Sequence, residues 1–419
     1  MRVLWVSHVI PYPPVAGVLL RAYNLVKAIG EQHELTLVAF VQDVWLRICF
    51  GDVERGLNEC RRELERHCVS VIFLPIERAH RPAGQLRTAL ESLVTAGGYM
   101  KGWLQGPAAH NVFRSLGGER FDLVHLDTIS LAPFRKHFYG VPVTLGHHNI
   151  ESHMLLRRAK NESNLFKKLY FWREGRRLQR YESQVCGQFA LNITCSNLDS
   201  ERLLKVAPAA KVRVVPNGVD CEFFRPRGVE TDPNSLVFVG TMSWYPNVDA
   251  VLFLLKQVWP RLKKLRPELT LDIVGSNPPL AIVEAARSLA DVHVHGFVPD
   301  IRSMVEAAAL FVCPIRDGGG TKLKILDAFA LQKCVVAHPV ACEGIDVNPD
   351  ANVVFAVDTD EWVRRIEELL DDNVRRAEIG AAARLLAQTR YSFDVIGRAL
   401  ADLFAEMAVQ GEASPRASI

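Results

Sequence analysis

Short apolar runs recur along this chain, separated by stretches of helix length whose apolar positions repeat every three or four residues. In the first half the runs fall at 3–6, 35–40, 69–74, 123–126, 143–145 and 191–195. Unbroken Val, Leu and Ile runs are what a strand buried on both faces requires. Their alternation with amphipathic segments predicts βαβ units and a mostly parallel sheet covered by helices. The rhythm restarts after V-R-V-V-P-N-G at 212–218, with runs at 236–240, 269–275, 292–295, 310–313, 335–337 and 353–356. Pro216, Asn217 and Gly218, followed by a polar stretch over 225–234, mark a hinge. The expected architecture is α/β with two Rossmann-like halves, the first over 1–210 and the second over 211–390. A helix within 391–410 has the length to cross back to the first half, and the small, polar 411–419 is expected to be a flexible tail.

Composition narrows the class of molecule. At 419 residues, with 49% apolar and 23% charged positions, the chain is too long for one core and too apolar for disorder. A formal net charge of +3 is too small to imply a nucleic-acid partner. Nine cysteines, at 49, 60, 68, 186, 195, 221, 313, 334 and 342, are scattered without a CxxC pair, which indicates a reducing compartment and no structural zinc. The first apolar run stops at Pro11 without a small-residue cleavage site, so it reads as a strand and not as a secretory signal. No window approaches the roughly 18 uninterrupted apolar residues of a membrane span. These points lead to an expected cytoplasmic localisation, with membrane contact at most peripheral, at the inner face.

Candidate chemistry lies at strand ends. The segment R-D-G-G-G-T-K-L-K-I-L-D at 316–327 reads as a strand exit, a glycine loop and a helix start. Glycines let backbone N–H groups approach an anion, and Thr321 is a candidate N-cap for the helix that follows. Helix N-termini attract phosphates through unpaired N–H donors and the helix dipole. Asp327, two helical turns beyond Gly320, would accept from ribose hydroxyls; alternatively it pairs with Lys324 on a surface helix. The turn P-Y-P-P-V-A-G ending at Gly17 opens a helix carrying Arg21, Tyr23 and Asn24, which suits either an acceptor or phosphate contact or a proline-stiffened loop. His147 and His148 follow the 143–145 strand; adjacent residues of an extended segment point apart, so no shared metal is expected there. Gly240 ends another strand, in a loop without Lys or Arg. Residues 155–180 interleave Arg157, Arg158, Lys160, Lys167, Lys168, Arg173, Arg176, Arg177 and Arg180 with Phe166, Tyr170, Phe171 and Trp172. That pattern fits a helix on an anionic membrane surface, or a solvated basic face over a packed one. No GxGxxG fingerprint and no GxSxG elbow occurs.

Taken together and in order, five motifs resemble one family. They are P-Y-P-P-x-x-G at 11–17, H-N-I-E at 148–151, V-P-N-G-V-D at 215–220, F-V-G-T-M-S-W-Y-P-N-V-D at 238–249 and G-G-G-T-K-L-K-I-L-D-A-F-A at 318–330. Over essentially its whole length the chain is similar to the GT-B fold retaining glycosyltransferases, glycosyl transferases group 1, of the type found in bacterial exopolysaccharide clusters. The resemblance implies two Rossmann-like domains facing each other across a cleft, the N-terminal one acceptor-binding and the C-terminal one nucleotide-sugar-binding. It implies transfer of a hexose from a UDP- or GDP-linked donor to a glycan or lipid-linked acceptor, in polysaccharide or glycoconjugate biosynthesis, with no metal and no further cofactor. By the same resemblance His148 is the catalytic contact to the donor sugar. Gly17 lines the diphosphate and acceptor side, Gly319, Gly320 and Thr321 with Lys322 hold the diphosphate, Gly240 and Arg316 join them in binding the donor, and Asp327 takes the ribose.

The chain departs from the family pattern in three places. The loop after Gly240 lacks the usual Arg and Lys, so Lys322, Lys324 or Arg316 must compensate. Gly319 and Asp327 stand where relatives carry two glutamates, and Val18 replaces a second glycine. Val18 and Asp327 motivate the alternative of a weak or inactive homologue that binds a glycan or a partner; a sugar-nucleotide epimerase of the same build is less compatible with the 318–327 motif.

Overall fold

The computed structural model describes residues 1–15, 17–76 and 102–413. These divide into two units, Met1–Pro216 with Ile396–Ile419, and Asn217–Val395.

In the first unit seven parallel strands pair in the order β3-β2-β1-β4-β5-β6-β7. They are β1 (Arg2–Ser7), β2 (Glu34–Val41), β3 (Ser70–Pro75), β4 (Leu123–Leu126), β5 (Val143–His147), β6 (Leu191–Thr194) and β7 (Val212–Val214). The run-and-helix rhythm thus produces a parallel sheet, because strands buried on both faces need crossover helices to cover them. β1 shows the consequence: Leu4 and Val6 join one apolar cluster with Phe40, Phe113 and Phe134, while Val3 and Trp5 join the cluster on the other face. The unit runs to Pro216 and not to 210, since β7 pairs with β6 through Asn192–Val212 and Thr194–Val214 and closes the sheet edge. Its second cluster also holds Ile396, Leu400, Ala401 and Phe404. These residues lie on the Phe393–Ala413 helix, which covers the Val3 and Trp5 face. That helix continues past 410; of the expected tail, residues 414–419 lie outside the described residues.

In the second unit six parallel strands follow the order β10-β9-β8-β11-β12-β13. They are β8 (Asp232–Val239), β9 (Thr270–Val274), β10 (Val292–Gly296), β11 (Ala308–Cys313), β12 (Val335–Ala337) and β13 (Val354–Phe355). Trp259, Phe311, Phe329 and Trp362 anchor a single core around this sheet. In both sheets the strand order reverses beside the first strand of the unit, between β1 and β4 and between β8 and β11. Loops leaving the carboxyl ends there diverge and open a crevice, the usual ligand position of such sheets.

Candidate functional site

The first crevice collects titratable groups. His8 follows β1, Asp127 follows β4, and His148 follows β5. Ser7 Oγ donates to Asp127 Oδ2 at 3.3 Å, and His148 Nε2 lies 3.2 Å from Asp127 Oδ1. His125, on β4, exchanges a 2.9 Å hydrogen bond with Thr144 and places Nε2 3.9 Å from the same carboxylate. Burial alone would raise the Asp127 pKa, but His148 and His125 more than reverse this and hold the carboxyl ionised, well below the ordinary range. Burial lowers His8 to about 4, with His148 adding to the shift and Asp127 opposing it, so His8 is neutral. Gly146 is required between them, since a Cβ there would stand 2.9 Å from the Asp127 carbonyl oxygen and 3.2 Å from His125 Nε2. A cavity of about 10 Å³, room for roughly one water, is lined by Arg21, His125, Asp127, His147 and His148.

Strand alternation separates the two adjacent histidines as expected. His147 points away and meets Asn192 Oδ1 at 3.0 Å, while His148 enters the crevice. One member of each of His8, Asp127 and His148 lies within 4.8 Å of the others, a donor set that suits a divalent cation. A bound ion with bonds of about 2.1 Å needs its ligands within about 4.2 Å of one another, so these side chains would have to draw together. Neither His8 nor Asp127 is singled out by the sequence, although each lies within two residues of the end of an apolar run.

Around Gly17, which begins the exposed start of the Gly17–Gly30 helix, the three polar side chains named above have internal roles. Arg21 donates to the carbonyls of Val215 and Pro216, Tyr23 to Glu63 Oε1 at 2.9 Å, and Asn24 to the Leu20 carbonyl at 2.8 Å. The structural reading of this segment prevails for them; Arg21 ties the helix to the V-P-N-G turn.

The H-N-I-E segment leads into two helices, Glu151–Asn161 and Leu165–Val185, where one continuous basic helix was anticipated. Asn164 caps the second through the N–H groups of Phe166 and Lys167, both at 3.1 Å. Gly175 lets the pair approach closely, since a Cβ there would stand 2.9 Å from Leu156 Cγ. Ser152 anchors the first helix to the second, its N–H 3.1 Å from Glu182 Oε1 and its hydroxyl on the other oxygen. Burial raises Glu182 to about 7 against those two hydrogen bonds. Leu165, Phe166, Leu169, Tyr170 and Trp172 are all exposed, Phe166 at 87%, beside exposed Lys160, Lys167, Lys168 and Arg173. An apolar groove of about 350 Å³ lies between the helices, lined by Leu156, Ala159, Leu165, Leu169 and Trp172 with Lys160 and Lys168 at its margin.

The second crevice lies between β8 and β11 and contains the glycine loop. Gly318 and Gly320 have φ of 105° and 72°, conformations that favour glycine. A Cβ on Gly318 would also collide with the Trp244 ring, at 2.8 Å. Tyr245 O–H donates to Asp317 Oδ2 at 2.8 Å, so the loop after Gly240 and the glycine loop brace one another. Gly275, at the end of β9, packs against the same place; its Cβ would stand 1.9 Å from the Gly240 carbonyl oxygen.

The helix here is Leu323–Ala330, later than the sequence suggested, with Lys322 in the cap position and no side-chain cap. Thr321 therefore does not cap it, and Thr321 Oγ1 is buried without a hydrogen-bond partner. Asp327 accordingly sits about one turn into the helix, not two turns beyond Gly320. Its Oδ1 is likewise buried and unpartnered, and burial raises the carboxyl to about 7 with Lys324 opposing. The surface-helix reading of Asp327 fails on this burial. Two of the expected cations are engaged elsewhere. Lys322 is buried and donates to the Gly318 carbonyl at 2.9 Å, and Arg316 forks onto Asp249 at 3.0 and 2.9 Å. Gly319 and Gly320 are half-buried at the crevice margin.

Comparison with known proteins finds relatives of both units. The family model described as Glycosyl transferases group 1 matches residues 233–372, and that described as Glycosyltransferase Family 4 matches 53–223. Among curated proteins, a GDP-mannose-dependent monoacylated alpha-(1-6)-phosphatidylinositol monomannoside mannosyltransferase of Corynebacterium glutamicum is 26% identical over 208 residues, covering 45% of this chain and 55% of the relative. An uncharacterised 44.6 kDa protein of the Klebsiella pneumoniae cps region is 26% identical over 131 residues, 30% of this chain and 34% of the relative. The matches thus span about a third to about half of these relatives. Among solved structures, Anabaena HepE in complex with UDP superposes with a TM-score of 0.63 at 16% identity, covering 97% of this chain and 100% of that one. Sucrose-phosphate synthase from Thermosynechococcus elongatus gives 0.69 at 15% identity, covering 98% and 100%. The two parallel α/β units are those of the GT-B fold.

Proposed function

Because the chain belongs to the glycosyl transferases group 1, we propose that it is a retaining, metal-independent hexosyltransferase using a UDP- or GDP-linked sugar. The observation that carries this reading is the pair of unpartnered buried oxygens, Thr321 Oγ1 and Asp327 Oδ1, beside a left-handed glycine loop at the β8/β11 switch point. Buried polar atoms are nearly always hydrogen-bonded, so two orphans in one crevice indicate a ligand that supplies the partners. A nucleoside diphosphate has matching groups: ribose hydroxyls donate to Asp327, and phosphate oxygens accept from Thr321 and from loop N–H groups.

In the proposed reaction the bond between the anomeric carbon and the diphosphate oxygen breaks. A hydroxyl of a glycan or lipid-linked acceptor attacks on the same face, and its proton passes to the departing diphosphate. The protein's part is positioning and electrostatic stabilisation of that leaving group, with His148 acting on the sugar ring. The mannosyltransferase relative and the UDP-bound neighbour support a nucleotide-sugar donor. The exposed apolar and basic face of the Glu151–Asn161 and Leu165–Val185 hairpin supports peripheral association with an anionic membrane from the cytoplasmic side. Calorimetry against a panel of UDP- and GDP-hexoses, followed by NMR of the product anomer, tests the reading. Binding of at least one donor and retention of its anomeric configuration are expected; a folded protein that binds no nucleotide sugar overturns it in favour of a non-catalytic homologue.

A further inference from the structure

Three cations lie close to the glycine loop, and two already have partners. Arg316 is paired with Asp249, its guanidinium 4.5 Å over the Phe253 ring, and Lys322 braces the Gly318 carbonyl. Lys324 is different. Its ammonium sits at the carboxyl end of β8, 2.7 Å from the Asn247 side-chain oxygen and 4.7 Å from the centre of the Phe238 ring. It stands 2.3 Å from the point that a Cβ on Gly240 would occupy, so the absent side chain of Gly240 is the space it enters. The loop it enters, 240–247, contains no Lys or Arg.

We propose that Lys324, and neither Lys322 nor Arg316, is the cation that meets the donor diphosphate, reaching the end of β8 from the Leu323–Ala330 helix. The proposal rests on the nucleotide-sugar reading above. A neutral amide holds the ammonium but does not balance its charge, and a diphosphate arriving at Gly240 would. Burial lowers the Lys324 pKa to about 8, with Lys322 acting in the same direction and Cys313 and Asp327 opposing. An ammonium in that state gains more from an anionic ligand than a solvated one, because its charge is already stripped of water. Asn247 fixes its position: the Asn247 amide donates to the Thr241 carbonyl at 2.7 Å, leaving its oxygen for Lys324.

The test compares binding of UDP with uridine, and GDP with guanosine, to the full chain by calorimetry. Wild type is expected to prefer the diphosphate over the nucleoside. Lys324→Met is expected to lose roughly tenfold or more in diphosphate affinity, with nucleoside affinity unchanged and circular dichroism native. Lys324→Arg, which keeps the charge, should retain most of the preference, and Arg364→Met, which removes an exposed charge elsewhere in the unit, all of it. A folded Lys324→Met protein with undiminished preference overturns the assignment of Lys324; should that variant not fold, a Lys324→Gln protein with undiminished preference does so. Wild-type protein that binds neither diphosphate nor nucleoside overturns the nucleotide reading itself.

Discussion

His148 and Asp127 meet across neighbouring strand ends, with Nε2 of the imidazole 3.2 Å from Oδ1 of the carboxylate. Parallel pairing of β4 with β5, in the register Leu126 to Leu145, brings them together. A carboxylate in this position fixes the ring's orientation. Asp127→Asn is therefore expected to lower kcat by about ten- to a hundredfold with donor KM little changed. Steady-state kinetics check this; an unchanged kcat would show that Asp127 serves the fold alone.

Asp327 gives a prediction in which stability and binding move oppositely. Burial raises its carboxyl to about 7, from an ordinary 3.8. The folded chain holds that proton more tightly than the unfolded chain, so stability falls as pH rises from about 4 to about 7 and the full penalty applies above. Asp327→Asn should raise Tm by a few degrees at pH 8, with a smaller gain at pH 5. The same variant should weaken donor binding by about tenfold, because an amide does not replace a carboxylate accepting two hydroxyls. In wild type, donor affinity should rise with pH through about 7 as Asp327 ionises. Scanning calorimetry and donor titrations at the two pH values measure both effects.

The hairpin prediction concerns the membrane. Arg177 is half-buried and pairs with Glu174 at 3.2 Å, so it is a poor choice for neutralisation. Lys167, Lys168 and Arg173 are exposed beside Phe166 and Trp172. Replacing the three cations by Gln should reduce binding to phosphatidylserine-containing vesicles by roughly tenfold or more, at about 1 kcal/mol for each cation. Phe166→Ser with Trp172→Ser should weaken it further without lowering Tm, since both side chains are exposed. Equal sedimentation of the triple variant with anionic and neutral vesicles, at wild-type levels, would remove the membrane assignment.

Chelation addresses the cluster of His8, Asp127 and His148. With the diphosphate neutralised by Lys324 and loop N–H groups, turnover should stay within about twofold after EDTA treatment, the leaving group needing no Lewis acid. Loss of activity, restored by a divalent cation and absent from a His8→Ala variant, would assign a metal to that cluster instead.

The apolar runs and glycines determined much of this protein without tertiary information. Strand positions in both units were legible because a strand covered on both faces must be continuously apolar, as Ala308–Cys313 is. The glycine loop at 318–320 was legible because left-handed backbone selects glycine. What the chain alone did not decide was which side chains meet. The Leu323–Ala330 helix starts two residues after Thr321, which leaves Thr321 uncapping and turns Lys324 toward Gly240, whereas Lys322 closes on Gly318. Val212–Val214 falls by sequence in the second half, expected over 211–390, and becomes the edge strand of the first sheet by pairing with β6. Lys324 and Asn247 are 77 positions apart, and His148 finds Asp127 on another strand. Such meetings depend on sheet order and helix phase, which long-range packing sets and no local pattern encodes.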